Sequence, residues 1–276
     1  MAVLGARDVI RTMIRATQKA SVVATLVLAL AAGGVATHAG LSLRNSTNVV
    51  RQVTVTNAQA VSSTSTLSVN EIYRRAYRGV VQITVTQSSA GPFGAPETQT
   101  AQGSGFVYDT SGDIVTNEHV VDGAVSISVK FWNGRTYKAT LVGSDASSDL
   151  ALIKVEAPSS LLHPLTIGDS STLQVGDSVV AIGSPFGLNE SVTSGIVSAL
   201  HREITAPNNA TIHEAIQSDA ALNHGNSGGP LLDDEGRVIG VNAQIESSSG
   251  GDDGVGFAIS SALLRSTIAH LLAGET

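Results

Sequence analysis

A serine set among small residues, Gly225-Asn226-Ser227-Gly228-Gly229-Pro230, is the part of this chain best suited to covalent chemistry. A serine hydroxyl attacks a carbonyl only when a base takes its proton and donors hold the oxyanion that forms. The flanking glycines leave room for a substrate. They also allow a tight turn in which Gly225, Asn226 and Ser227 make an oxyanion hole, the N–H groups of Gly225 and Ser227 pointing at one place. Read by itself, the string also fits an ordinary Gly/Ser turn between strands.

The base must come from seven histidines. His119, in Thr116-Asn117-Glu118-His119-Val120-Val121, follows an apolar run whose strand end could present it. His224 is the rival, three residues from Ser227, but so near a neighbour on an extended turn points away from the nucleophile. A third group is needed to fix the imidazole tautomer and steady the imidazolium. Asp149, at the mouth of the apolar run Leu150–Val155, is a carboxylate that must find a partner, because burying it unpaired is costly. Taken singly, His119 reads as a surface residue and Asp149 as a turn residue.

The elements that must position these groups are short strands. Val81, Ile83 and Val85 alternate with polar residues, as do Val125, Ile127, Val129 and Phe131. Asn133-Gly134 marks a two-residue hairpin, and Asp234-Glu235-Gly236 another turn. Further runs lie at 151–155, 178–182, 192–200, 238–244 and 255–259, with no long helix between them, which predicts an all-β barrel or sandwich. Ser68-Val69-Asn70-Glu71 is a capping box opening a short N-terminal helix. Leu264, Ile268, Leu271 and Leu272 predict a C-terminal helix stopped by Gly274. No repeat of 20–50 residues is visible.

His, Asp and Ser in that chain order on an all-β protein match the trypsin-like arrangement rather than the subtilisin or α/β-hydrolase orders. Thirty residues separate His119 from Asp149, and 78 separate Asp149 from Ser227. Those gaps suit two six-stranded antiparallel barrels, His119 and Asp149 on the first and Ser227 on the second. Ala221, six residues before Ser227, stands where a trypsin-like specificity pocket carries Asp. Together with Ala243 and Ile245 it predicts an apolar pocket for small or medium aliphatic residues. Val241, Asn242 and Ala243 are expected to take a substrate backbone as an added strand.

Outside this domain, Ser21–Ala36 is almost wholly apolar and follows Arg7, Arg11, Arg15 and Lys19. Residues 1–39 read as a cytoplasmic lead and single-pass membrane anchor, or as a cleaved secretory signal, or as a buried core helix. The first two readings put the rest outside the cytoplasmic membrane, held at the cell membrane by the anchor or, after signal cleavage, secreted or periplasmic. Residues 40–67 read as a flexible linker and 68–276 as the catalytic domain. Residues 79–276 carry seven Lys or Arg against 21 Asp or Glu. So acidic a surface repels a phosphate backbone and excludes nucleic acid as a partner. With no cysteine there is no thiol nucleophile and no disulfide framework. The histidines show no metal-ligand spacing, and no cofactor or metal is expected.

The strings TNEHVV, DLALIKV, AIGSPFGLNESVTSGIVSAL, SDAALNHGNSGGPLLD, GVNAQ and GVGFAIS resemble the HtrA/Deg family of extracytoplasmic serine proteases over about residues 69–270. The resemblance implies a double β-barrel, ATP-independent endopeptidase cleavage of unfolded or damaged proteins, and assembly as a homotrimer. His224 and Ser184 depart from residues common in the family, Pro and Asn. The resemblance covers the protease domain and no PDZ domain, so peptide-triggered activation through one is not expected of this chain by itself. Two other functions fit the same fold: a chaperone-like protein inactive at rest, and a signalling protease with one dedicated membrane substrate.

Overall fold

A computed structural model describes residues 66–90, 96–184, 191–222, 225–243 and 254–274. The described chain forms two closed antiparallel barrels of six strands each. The first comprises β1 (Val80–Ala90), β2 (Pro96–Val107), β3 (Asp113–Thr116), β4 (Ala124–Lys130), β5 (Thr136–Asp145) and β6 (Leu150–Val155). The second comprises β7 (Ser178–Gly183), β8 (Ser191–Thr205), β9 (Thr211–Ser218), β10 (Pro230–Leu232), β11 (Val238–Ala243) and β12 (Gly256–Ser260). Around the first barrel the strands run β1-β2-β3-β6-β5-β4, and the second repeats that circuit. One topology is thus used twice without any sequence repeat.

Three α-helices occur among the described residues: α1 (Val69–Ala76), α2 (Glu118–Val121) and α3 (Ser261–Ala273). The capping box forms as expected. The Ser68 side chain accepts from the Glu71 N–H, and the Glu71 carboxylate accepts from the Ser68 N–H. Helix α3 starts at a Ser260 cap and ends where Gly274 turns left-handed at φ 75°. The expected two-residue hairpin at Asn133-Gly134 is instead a three-residue loop. Phe131 donates to the Arg135 carbonyl, leaving Trp132, Asn133 and Gly134 outside the ladder, with Gly134 at φ 80°. Asp233 and Arg237 close the same kind of loop around Gly236.

Some strands alternate and others are apolar throughout, for a spatial reason. Val81, Ile83, Val129 and Ile153 fill the first barrel, and Val179, Ala181, Leu231 and Ile239 fill the second. The largest cluster lies between them, where Val80, Phe106, Leu150 and Leu152 meet Val180, Ile182, Leu232 and Val241. Along β6, Ala151 and Ile153 face the barrel while Leu150 and Leu152 face the seam. Both faces are dry, so the alternation disappears from the sequence. Each fully buried Leu or Ile contributes roughly 1.5–3 kcal/mol. The seam therefore holds the barrels in fixed register, and a site spanning them inherits that rigidity.

Candidate active site

Strand register sets up the first half of the site. Thr116 pairs with Ala151 across β3 and β6. Carrying the ladder two residues further places Glu118 opposite Asp149, and the Glu118 N–H does donate to the Asp149 carbonyl at 3.1 Å. The Asn117 amide donates to the same carbonyl at 2.9 Å. Held at its backbone, Asp149 adopts a left-handed φ of 53°, which Asp tolerates better than most residues. Its carboxylate is fully buried. It accepts the His119 backbone N–H at 3.0 Å and lies 2.9 and 2.8 Å from His119 Nδ1 through its two oxygens. An ionised carboxylate only accepts, so Nδ1 carries the proton and Nε2 is left as the acceptor.

His119 was expected at a strand end. It stands instead on the single turn of α2, which reverses the chain after β3. From there the ring reaches the Asp149 carboxylate through Nδ1.

The second half is the turn preceding β10. Strand β2 of the first barrel grips it: the Ser104 N–H donates to the Ser227 carbonyl at 2.8 Å, and Ser104 Oγ donates to the Gly225 carbonyl at 2.5 Å. Ser104 Oγ also accepts from the Ser184 N–H at 2.8 Å, and Thr116 Oγ1 donates to the Ser104 carbonyl at 2.7 Å. Ser104 thus ties the Ser227 turn to the strand that leads into His119. Within the turn, Gly229 donates to Asn226 at 3.0 Å, and Gly228 donates to the Asn242 carbonyl on β11 at 2.9 Å. The N–H groups of Gly225 and Ser227 donate to no acceptor among the described residues. Ser227 is buried, and its hydroxyl makes no hydrogen bond there. In this state the imidazole engages Asp149 and not the serine. Catalytic hydrogen bonds commonly tighten only when substrate binds.

Gly228 shows how closely the turn approaches the first barrel. Its φ is 84°, and a Cβ there would lie 2.2 Å from the Ser104 carbonyl oxygen and 2.4 Å from Thr116 Oγ1. We expect Gly228→Ala to cost about 1–3 kcal/mol through the forced left-handed backbone alone, and to lower peptide hydrolysis at least ~100-fold by shifting Ser227. Thermal unfolding and initial rates measure both. A variant with native melting temperature and activity would show the turn to be looser than described.

The residues expected to bind substrate are partly described. Ala221 is half-buried, and its carbonyl accepts Thr193 Oγ1 at 2.9 Å and the Asn226 amide at 3.5 Å. Ile245 and His224 lie outside the described residues, as do 20–43 and Asp252-Asp253. The expectation of an open edge at Val241 and Asn242 needs correction. Val241 pairs with Ile259 and with Pro230. Asn242 pairs with Ala258, and its N–H and carbonyl are taken by Gly229 and Gly228. Both sides of β11 are therefore occupied at those residues. An added strand has to begin at or beyond Ala243.

Sequence reasoning missed Ser104, Thr116, Asn117, Glu118 and Asn208. Glu118 is buried beside His119 and accepts from the Asn208 amide at 3.0 Å. Burial pushes its carboxyl above the usual range; the Asn208 hydrogen bond pulls down, while Asp122 and Asp149 push up. The Gly103-Ser104-Gly105 string held one signal. A Cβ at Gly103 would strike Val120, and one at Gly105 the Val115 carbonyl. Among the described residues no group of three metal-ligating side chains occurs.

Comparison with known proteins agrees with this geometry. Residues 103–241 match a trypsin-like peptidase domain. Over 164 residues the chain is 48% identical to the chloroplastic Protease Do-like 1 of Arabidopsis thaliana, covering 59% of this chain and 37% of that protein. It is 46% identical over 173 residues to the periplasmic serine endoprotease DegP of Escherichia coli K12, covering 62% and 36%. The chain thus spans little more than a third of the curated relatives it matches. A solved structure of the HtrA-type protease AlgW with a decapeptide superposes with a TM-score of 0.66 at 34% identity, covering 76% of this chain and 69% of that one.

Proposed function

Since the chain belongs to the trypsin-like peptidases of the HtrA type, we propose that it is a serine endopeptidase acting on unfolded polypeptides through His119, Asp149 and Ser227. One observation carries the reading. A buried carboxylate fixes the tautomer of His119, and the Ser227 turn is tied through Ser104 to the strand that leads into that histidine. In the proposed reaction Ser227 Oγ bonds to the carbonyl carbon of the scissile peptide while its proton passes to His119 Nε2. The carbonyl electron pair becomes an oxyanion facing the Gly225 and Ser227 N–H groups. Collapse breaks the C–N bond, and His119 returns the proton to the leaving amine. Water, deprotonated by His119, then hydrolyses the acyl ester and restores the serine.

Apolar side chains at Ala221, Ala243 and Ile245 support a preference for small or medium aliphatic residues before the cut. Backbone pairing from Ala243 onward gives affinity with little side-chain selectivity, which suits unfolded substrates. A homotrimer belongs to the same reading and is supported by the family resemblance. Extracytoplasmic action is supported by the periplasmic relatives. A tether through residues 21–36 is supported by their apolar sequence after four basic residues. No helix among the described residues is long and apolar enough to cross a membrane, and 21–36 lie outside them.

Casein digestion, with cleavage sites read by mass spectrometry, tests the proposal. We expect casein to be cut after aliphatic residues and a folded, disulfide-bonded protein to be spared. Cleavage after Lys or Arg would refute the pocket assignment. The unbonded Ser227 hydroxyl favours a second reading, a chaperone-like protein inactive at rest. That reading predicts intact casein held soluble.

A further inference from the structure

We propose that Asn208, on the second barrel, is a positioning residue for the His119–Asp149 pair, acting through the Glu118 carboxylate and the Ala146 carbonyl. The proposal rests on the catalytic reading above. Asn208 sits at the tip of the β8–β9 hairpin, closed by Ala206 N–H to the Ala210 carbonyl at 2.8 Å and Asn209 N–H to Ala206 at 2.9 Å. The hairpin reaches its target through three register shifts, and His201, Asn209 and Glu214 all take left-handed φ values between 55° and 65°. Such irregularities re-aim a strand.

The Asn208 amide is fully used. Its Oδ1 accepts the Ala210 N–H at 3.0 Å, which settles which end is nitrogen. The two Nδ2 hydrogens go to Glu118 Oε2 at 3.0 Å and to the Ala146 carbonyl at 2.9 Å. Glu118 immediately precedes His119. Ala146 lies in the turn that delivers Asp149, a turn braced by Ser147 and Ser148 hydrogen bonds to Asp145. One amide thus pins both first-barrel segments that make the His–Asp pair. Hairpin and turn also border a cavity of about 560 Å³, lined by Ser147, Ser148, His213 and Ile216 among others, so they do not pack continuously against each other. The titratable groups facing Glu118 are His119, Asp122 and Asp149. With two acids already there, a third carboxylate in place of the amide sets acceptor against acceptor.

The test compares kcat/KM on a peptide substrate across pH for four forms of the full chain: wild type, Asn208→Asp, Asn208→Ala, and Asn208→Asp combined with Glu118→Gln. At neutral pH both single variants are expected to fall about tenfold or more. The Asn208→Asp deficit, relative to wild type, narrows as pH falls, because two facing carboxylates take up a shared proton and regain a donor. The Asn208→Ala deficit does not narrow. In the double variant the amide stands on α2 and the carboxylate on the hairpin, which restores the bond to residue 118 but not the one to the Ala146 carbonyl, and activity recovers at least about threefold over Asn208→Asp without reaching wild type. Equal deficits at every pH without rescue, or wild-type activity for Asn208→Asp, overturn the proposal. Ser227→Ala separates the two levels of the account. If that variant still cleaves, the catalytic reading fails; if it is dead while Asn208→Asp is unaffected, only the positioning role fails.

Discussion

Ser227→Ala is expected to lower kcat on an unfolded polypeptide by on the order of 10⁶-fold, with KM little changed. Its size follows from what the substitution removes. Without Oγ no acyl-enzyme forms, and His119 and the oxyanion donors retain only their weak effect on direct attack by water. Stability should move the other way. The hydroxyl is buried and makes no hydrogen bond among the described residues, and a buried polar atom without a partner destabilises the fold by about 1–3 kcal/mol. The variant is expected to melt no lower than the wild type. Loss of activity at undiminished stability distinguishes a nucleophile kept at some cost to the fold from a serine that merely packs. Calorimetry alongside initial rates reads both quantities.

The second large effect is at Asp149. We expect Asp149→Asn to lower kcat by on the order of 10⁴-fold with little change in structure. Asn tolerates the left-handed backbone that Asp149 adopts, φ 53°, and its Oδ1 can still accept the His119 backbone N–H. Its amide, however, presents hydrogens to Nδ1. The ring must then accept at Nδ1 and carry its proton on Nε2, so it cannot take a proton from Ser227. Asp149→Ala loses the same function but also empties a buried polar site, which confounds packing with catalysis. If Asp149→Asn retained activity within about tenfold of wild type, the tautomer argument would be wrong.

Much of this was legible in the sequence, and the exceptions have physical causes. Ser227 stands out as a serine among glycines, whereas His119 and Asp149, each bland alone, were picked out by their order and spacing with it on an all-β chain. Strands β1 and β4 declared themselves by alternation, although Gln82 in β1 is buried and Val125 in β4 is exposed beside a register shift. Strand β6 is apolar on both faces because it divides barrel from seam, so it read as a strand without revealing which side was which. The spacing of His119, Asp149 and Ser227 pointed to two six-stranded barrels, and both close; the strand circuit they share stayed invisible, because barrel closure needs pattern and turn chemistry rather than matching residues. Helix α2 escaped notice for its length of four residues, too short for any period to register. Asn208 was unreadable in principle: a turn asparagine looks the same whether it faces water or reaches a carboxylate 90 residues away in the chain.

Exposing the native protein to a fluorophosphonate and locating the adduct by mass spectrometry tests the union of nucleophile, base and oxyanion donors most directly. The account predicts one covalent adduct, on Ser227, absent from His119→Ala and from protein unfolded in urea. An adduct on another serine, or labelling of Ser227 indifferent to the loss of His119, would contradict it.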